Sequence, residues 1–251
     1  MMASDLELLP PWTDGKSQAG YFFQHGLKRA SAIIAQNEHQ RTGMQSLYGH
    51  NAILIRSIYP FPPDAAPGAD GILWVGRCKQ VKSPERFLDL AAALPDVRFT
   101  MVALPTAEEP EFFASLAERA AALPNLEWVP GATTAEMPAI YGRHAVLVNT
   151  SDHEGVPNTF IEAAAHGLAI VSLSVDPDAI LSKENAGICC GGDRTRLIEA
   201  VRRLATDRAQ CRQMGSRART VFRRLYDAEN VLPAYAELIR HLAAGARVNR
   251  A

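Results

Sequence analysis

Cysteine is scarce, with four residues in 251, at Cys78, Cys189, Cys190 and Cys211. No two of them stand in a C-x-x-C spacing, and no histidine falls at a zinc-ligand interval from them. A zinc finger or a disulfide framework is therefore not expected. Cys189 and Cys190 close an apolar run, which suits buried free thiols in a reducing compartment. No run of about 18 apolar residues exists, so no membrane-spanning helix is expected. The first eleven residues contain Asp5 and Glu7 and lack a basic start with an apolar core, unlike a secretory signal. The expected location is cytoplasmic. A net charge of −1 argues against a general nucleic-acid binder. No Gly-x-Gly-x-x-Gly follows an apolar run, which disfavours a dehydrogenase.

What is present is unevenly distributed. Residues 191–251 hold 13 Arg, no Lys and six acids, a net of +7, while residues 1–190 carry a net of −8. Solvated arginine faces on terminal helices explain this most simply. Peripheral contact with an anionic membrane, or with an acidic partner, is the sharper expectation.

Residues 1–19 read as a loosely ordered start. Residues 20–69 contain an apolar run at 32–35, a helical stretch at 37–48, a second run at 52–55 and a Pro-rich linker ending with Pro67 and Gly68. From residue 70 to the end, short apolar runs alternate with helical stretches. The runs are 72–75, 97–102, 126–129, 145–148, 169–173 and 187–190. The helices between them are expected at 84–94, 110–123, 134–141 and 157–166, and three more follow at 193–205, 208–224 and 228–243. Runs that are apolar throughout, separated by helices, predict an α/β fold: a doubly wound, Rossmann-like parallel sheet covered on both faces. Such sheets bind ligands beyond the carboxyl ends of their strands.

Two segments sit there. In the first, Gly76 to Lys82, Gly76 permits close backbone approach, Arg77 can meet phosphate oxygens in a fork, and Lys82 adds a compact cation. The second runs from Ser151 to Glu162. Gly155 allows a turn, Pro157 opens a helix, and the amides of Asn158 and Thr159 lack intrahelical partners and favour an anion. Glu162 lies one turn in, where a carboxylate can accept from ribose hydroxyls. Glu154 precedes the helix, where it could face a sugar hydroxyl. Each acid also suits a helix start on electrostatic grounds alone.

Gly-Arg-x4-Lys followed by Ser-x-x-Glu-Gly-x-Pro-x4-Glu-x4-Gly, from Gly76 to Lys82 and from Ser151 to Gly167, resembles the C-terminal half of family 4 retaining glycosyltransferases. The resemblance covers about residues 30–243. It implies the GT-B fold, with residues 70–251 as the nucleotide-sugar domain and residues 20–69 as a remnant of the acceptor domain plus linker. It implies transfer of a sugar from a nucleoside-diphosphate sugar to a hydroxyl, with retention. Arg77 and Lys82 would hold the diphosphate, Glu162 the ribose, and Glu154 would lie by the donor sugar. Gly76, Gly155, Val156, Asn158 and Thr159 would contact sugar and phosphate, and Val129 and Pro130 would lie near the base. No cofactor and no metal is expected, since Arg77, Lys82 and the helix amides can neutralise the diphosphate. The expected partners are a nucleotide sugar and a separate chain carrying an acceptor domain. A non-catalytic nucleotide-sugar-binding subunit and a nucleotide-sugar epimerase are the alternatives. The chain departs from the family at Ala103-Leu104-Pro105 and Asp176-Pro177-Asp178, where glycines are common, and at Ala169, where proline is common.

Overall fold

The computed structural model describes residue 8, residues 17–63 and residues 70–245. Most of the expected loose start, and Pro67 and Gly68 of the linker, lie outside the described residues. In chain order the first elements are α1 (Gln18–Arg29), β1 (Ile34–Ala35), α2 (Glu38–Tyr48) and β2 (Ile53–Leu54). Then come β3 (Ile72–Arg77), α3 (Glu85–Ala93), β4 (Phe99–Leu104), α4 (Pro110–Ala121), β5 (Leu126–Val129) and α5 (Met137–Arg143). β6 (Val146–Asn149), α6 (Asn158–Ala165), β7 (Ala169–Ser172), α7 (Ile180–Lys183) and β8 (Ile188–Cys189) follow. The chain ends with α8 (Arg194–Thr206), α9 (Arg208–Tyr226) and α10 (Ala228–Ala243). It divides into a sheet domain, residues 61–153 and 157–223, and a smaller unit, residues 1–60, 154–156 and 224–251.

The sheet domain holds six parallel strands in the order β5-β4-β3-β6-β7-β8. Counted from β3, this is the 3-2-1-4-5-6 order of a dinucleotide-type sheet, and the direction of winding reverses between β3 and β6. The expected doubly wound, Rossmann-like fold is what the chain adopts. Val146–Asn149 and Ala169–Ser172 are buried along their whole length, as covered parallel strands must be. α8 shows how the flanking helices attach. Asp193 accepts from the amides of Thr195 and Arg196 at 2.8 and 3.2 Å and starts the helix. Leu197, Ala200, Val201 and Leu204 then recur on one face and are buried. α3 does the same with Phe87, Leu88, Leu90 and Ala91. Phe87 meets Phe99 edge to face at 5.4 Å between centroids.

Some boundaries differ from the sequence reading. β3 runs on to Arg77, because Gly76 and Arg77 pair with Ala103 and Leu104 and extend the ladder past the apolar run. α5 starts at Met137 rather than at residue 134. The side chain of Glu136 accepts from both the amide and the hydroxyl of Thr133 at 2.7 Å, which keeps that turn outside the helix. The thiols are free as expected, and Cys78, Cys190 and Cys211 are buried. Burial pushes each of these three up to about 11, so they are inert at neutral pH.

In the smaller unit, β1 and β2 pair in parallel over two residues each. α1 was not foreseen, and it begins inside the stretch read as loose. Ser17 caps it, accepting from the Gly20 amide at 2.9 Å. The helix buries only Gly20 and Leu27 and leaves Tyr21 and Phe22 exposed, so its apolar residues do not share one covered face. α10 packs Val231 and Leu238 with Ile55, alongside Ile34, Ile53 and Tyr235. The two strands are therefore paired with each other and covered by the chain's own last helix.

Candidate functional site

The reversal point between β3 and β6 is where a sheet of this order opens a crevice at its carboxyl edge. The two segments singled out in the sequence leave the sheet there, one from each of these neighbouring strands. They are also tied together directly. The Trp74 indole N–H donates to Thr150 Oγ1 at 2.9 Å, and Thr150 Oγ1 donates to the Lys82 carbonyl at 2.9 Å. The Asp152 amide donates to the Val81 carbonyl at 3.1 Å. Arg86 grips Asp152 with both terminal nitrogens, at 2.5 and 3.3 Å, and Ser83 adds a hydroxyl at 3.1 Å. The Arg86 hydrogen bonds hold the Asp152 carboxyl below its usual range; partial burial opposes this, and Ser83 adds to it. Ser83 itself is buried in the left-handed region, φ 45°, as it turns the chain from the 3-10 turn Gln80–Lys82 into α3.

Arg77 is exposed at the end of β3 and makes no ion pair among the described residues, whereas the neighbouring Lys79 reaches Glu108 at 3.6 Å. Lys82 is half-buried in the 3-10 turn. Glycine at position 76 has a structural cause. A Cβ there would stand 2.9 Å from the Trp74 ring, so the indole, bound to Thr150, lies over that position.

On the β6 side, Pro157 is the N-cap of α6 and the helix starts one residue later than read. No side chain caps it and its first turn holds no acid. Among the described residues the amides of Asn158 and Thr159 thus meet no side-chain cap, and no acid in the first turn offsets the positive end of the helix dipole. The other end of α6 is anchored, since Arg219 donates to the Ala165 carbonyl. Glu162 lies half-buried on α6, and its Oε2 accepts from the Tyr141 hydroxyl at 2.6 Å. Tyr141 had not been singled out; an aromatic at the end of an apolar helix face reads as core, and 1% exposure makes it so by area.

Val129 ends β5, two strands from β3 and so roughly 10 Å away along the sheet. Exposed Pro130 follows, and the Gly131 amide turns back to the Val129 carbonyl at 2.8 Å. The structure thus brings Gly76, Arg77, Lys82, Asn158, Thr159 and Glu162 to one edge of the sheet domain, with Val129 and Pro130 further along it. Glu154, Gly155 and Val156 group with the smaller unit. The glycine-poor segment Asp176-Pro177-Asp178 has an Asp-x-Asp spacing, but Asp176 caps a helix. Its carboxylate accepts from the amides of Leu181 and Ser182 at 2.8 and 3.2 Å. A cavity of about 590 Å³ opens at the opposite, amino edge of the sheet, between Ile72, Val97, Val146 and Leu204. It touches none of the residues above.

No curated protein matches the chain. Solved structures do match its fold. HepE from Anabaena, solved with UDP and glucose, superposes with a TM-score of 0.76 at 16% identity, over 93% of this chain and 69% of that one. A TarM variant from S. aureus, solved with UDP among other ligands, gives 0.74 at 16% identity, over 88% of this chain and 46% of its own. The C-terminal domain of the group 1 glycosyl transferase LpcC from Francisella tularensis gives 0.55 at 19% identity, over 65% of this chain and 93% of that domain. This chain therefore spans about half the length of TarM and most of HepE. The family model of glycosyl transferases group 1 matches residues 69–207, more than half of the chain. The chain belongs to the group 1 glycosyl transferases, and its sheet is the GT-B type of C-terminal domain.

Proposed function

We propose that this chain holds the donor of a retaining glycosyltransferase of the family 4 type. The sugar would pass from a nucleoside diphosphate to an acceptor hydroxyl on the same face of the anomeric carbon. The observation that supports this reading is the uncapped start of α6 beside the Arg77–Lys82 segment, at the reversal point of the sheet. Two free amides and two cations offer a pyrophosphate four donors and a compensating charge. The same groups would stabilise the diphosphate as it leaves, so no metal is required by charge balance. Glu162, one turn deeper, would accept from the ribose, and Val129 and Pro130 would border the base. Glu154 would lie by the donor sugar. The likeness to HepE over 93% of the chain supports reading residues 20–69 as part of an acceptor domain. The nucleotides in HepE and TarM make uridine the first base to try.

Calorimetry of the full chain against UDP-glucose, UDP-N-acetylglucosamine, ADP-glucose and GDP-mannose tests the reading. Binding of one donor is expected, and Arg77→Ala should weaken it roughly tenfold or more, the worth of a charge-assisted phosphate contact. Equal affinity in the variant and the wild type would overturn the diphosphate assignment. A labelled donor then tells transfer to an acceptor from release of an altered sugar, or from binding without turnover.

A further inference from the structure

Glu162 is held by a phenol. The Tyr141 hydroxyl donates to its Oε2 at 2.6 Å, within the range of a hydrogen bond to a charged acceptor. Among the described residues, Oε1 accepts no hydrogen bond. Tyr141 is fixed in turn. It sits on α5 with 1% exposure, and its ring stacks on His166, with centroids 5.2 Å apart and planes 20° from parallel. His166 is itself buried and pinned, because its Nδ1–H donates to the Glu162 carbonyl at 2.9 Å. The carboxylate is thus oriented by Tyr141, whose ring is held in turn by His166. One oxygen is taken by the phenol and the other is left for a ligand.

We infer that Tyr141 is a positioning residue for nucleotide recognition. It fixes the Glu162 carboxylate so that Oε1 accepts from a ribose hydroxyl without first losing rotamer freedom. A glutamate on a helix surface otherwise samples several rotamers, and ordering it on binding costs affinity. The preorganised acceptor then discriminates a nucleotide with ribose hydroxyls from one without them. This inference rests on the proposed donor site and adds to it the residue that sets sugar-ring selectivity.

The test compares nucleotide pairs on the full chain. UDP, ADP and GDP are titrated calorimetrically beside their 2′,3′-dideoxy counterparts, with wild type, Glu162→Gln and Tyr141→Phe. Phenylalanine keeps the ring and its stack on His166, and a thermal melt checks that the fold is retained. The wild type should prefer the ribonucleotide. Tyr141→Phe should cut that preference roughly five- to tenfold, about the net worth of one ordinary hydrogen bond. Dideoxynucleotide affinity should stay within about twofold of wild type. A purely structural role for Tyr141 would instead weaken both members of a pair alike, and that result would overturn the inference. So would a Tyr141→Phe variant with wild-type preference while Glu162→Gln has lost it; the donor site would then stand and only the positioning role would fall. If the wild type binds no nucleoside diphosphate, the functional reading itself fails.

Discussion

In the sheet domain, β4 and β6 lie between neighbours on both sides and present almost wholly buried residues, with Phe87, Phe99 and Trp74 meeting beneath them. In the smaller unit, each strand contributes two residues and two modest clusters do the packing, one around Met44 and one around Ile55. Surface composition follows the same division. Of the seven large hydrophobic residues exposed among the described residues, six belong to the smaller unit: Tyr21, Phe22, Leu47, Ile58, Leu232 and Ile239. Both units obey the same rule, that a strand is stable to the extent that its ladder is long and its faces are covered. The sheet domain meets that rule from its own residues. The smaller unit meets it only partly, and its exposed aromatic and aliphatic side chains mark where it falls short.

The largest effect that can sharpen this contrast is a cavity in the sheet domain. Phe87→Ala removes a ring with no exposure that touches both Phe99 and Trp74. It should cost about 3–5 kcal/mol, read from denaturant melts. Met44→Ala empties the middle of the cluster of Leu8, Leu27 and Ile33. The loss there should be nearer the low end of the range, about 2–3 kcal/mol, because a thin core collapses more readily around a gap. Amide exchange gives the local view. Protection should fall in α2 on Met44→Ala, and even in wild type β1 and β2 should exchange faster than β4 and β6. Equal protection in the two sheets would break the comparison.

Sequence legibility follows the same line. The sheet domain was readable because its strands are apolar on both faces and its helices carry regular stripes, as in Leu197, Ala200, Val201 and Leu204. Its site was readable in part, because Arg77, Lys82 and Pro157 belong to turn and helix-start chemistry that stays local in sequence. The fastenings were not readable. Trp74 to Thr150 and Tyr141 to Glu162 join residues 76 and 21 positions apart, and each partner alone passes for an ordinary core or helix residue. The sequence suggested close ligand approach for the glycine at position 76, and the Trp74 ring, which a Cβ there would meet at 2.9 Å, is a second reason that only the structure reveals. In the smaller unit α1 escaped notice because it buries little, and the role of α10 against β1 and β2 spans almost the whole chain.

The smallest expected effect concerns the sheet domain's own liability, a buried polar group rather than an exposed apolar one. His144 is 5% exposed at the amino edge of the sheet. Its Nδ1 lies 2.6 Å from the Ile140 carbonyl, which can only accept, so Nδ1 carries a hydrogen. Nε2 lies 2.8 Å from Thr100 Oγ1 and in the neutral ring accepts from that hydroxyl. Burial lowers the His144 pKa below 6.5; the bond to Ile140 opposes this, Arg143 adds to it, and Glu127 and Asp70 oppose it. The folded group therefore holds its proton less well than the unfolded one. Its contribution to stability is complete above about pH 6.5 and is lost as pH falls through the folded value, at no more than about 1.4 kcal/mol per pH unit. Thr100 softens the loss. Its hydroxyl also lies 3.2 Å from Glu127 Oε2, and a single hydrogen cannot serve both acceptors. Protonation of Nε2 turns that nitrogen into a donor and releases the Thr100 hydrogen to Glu127. Thermal melts of wild type and His144→Gln from pH 7.5 to 5.5 should show a steeper decline in wild type. Parallel slopes would mean that this buried imidazole takes up its proton as readily in the folded sheet domain as in the open chain.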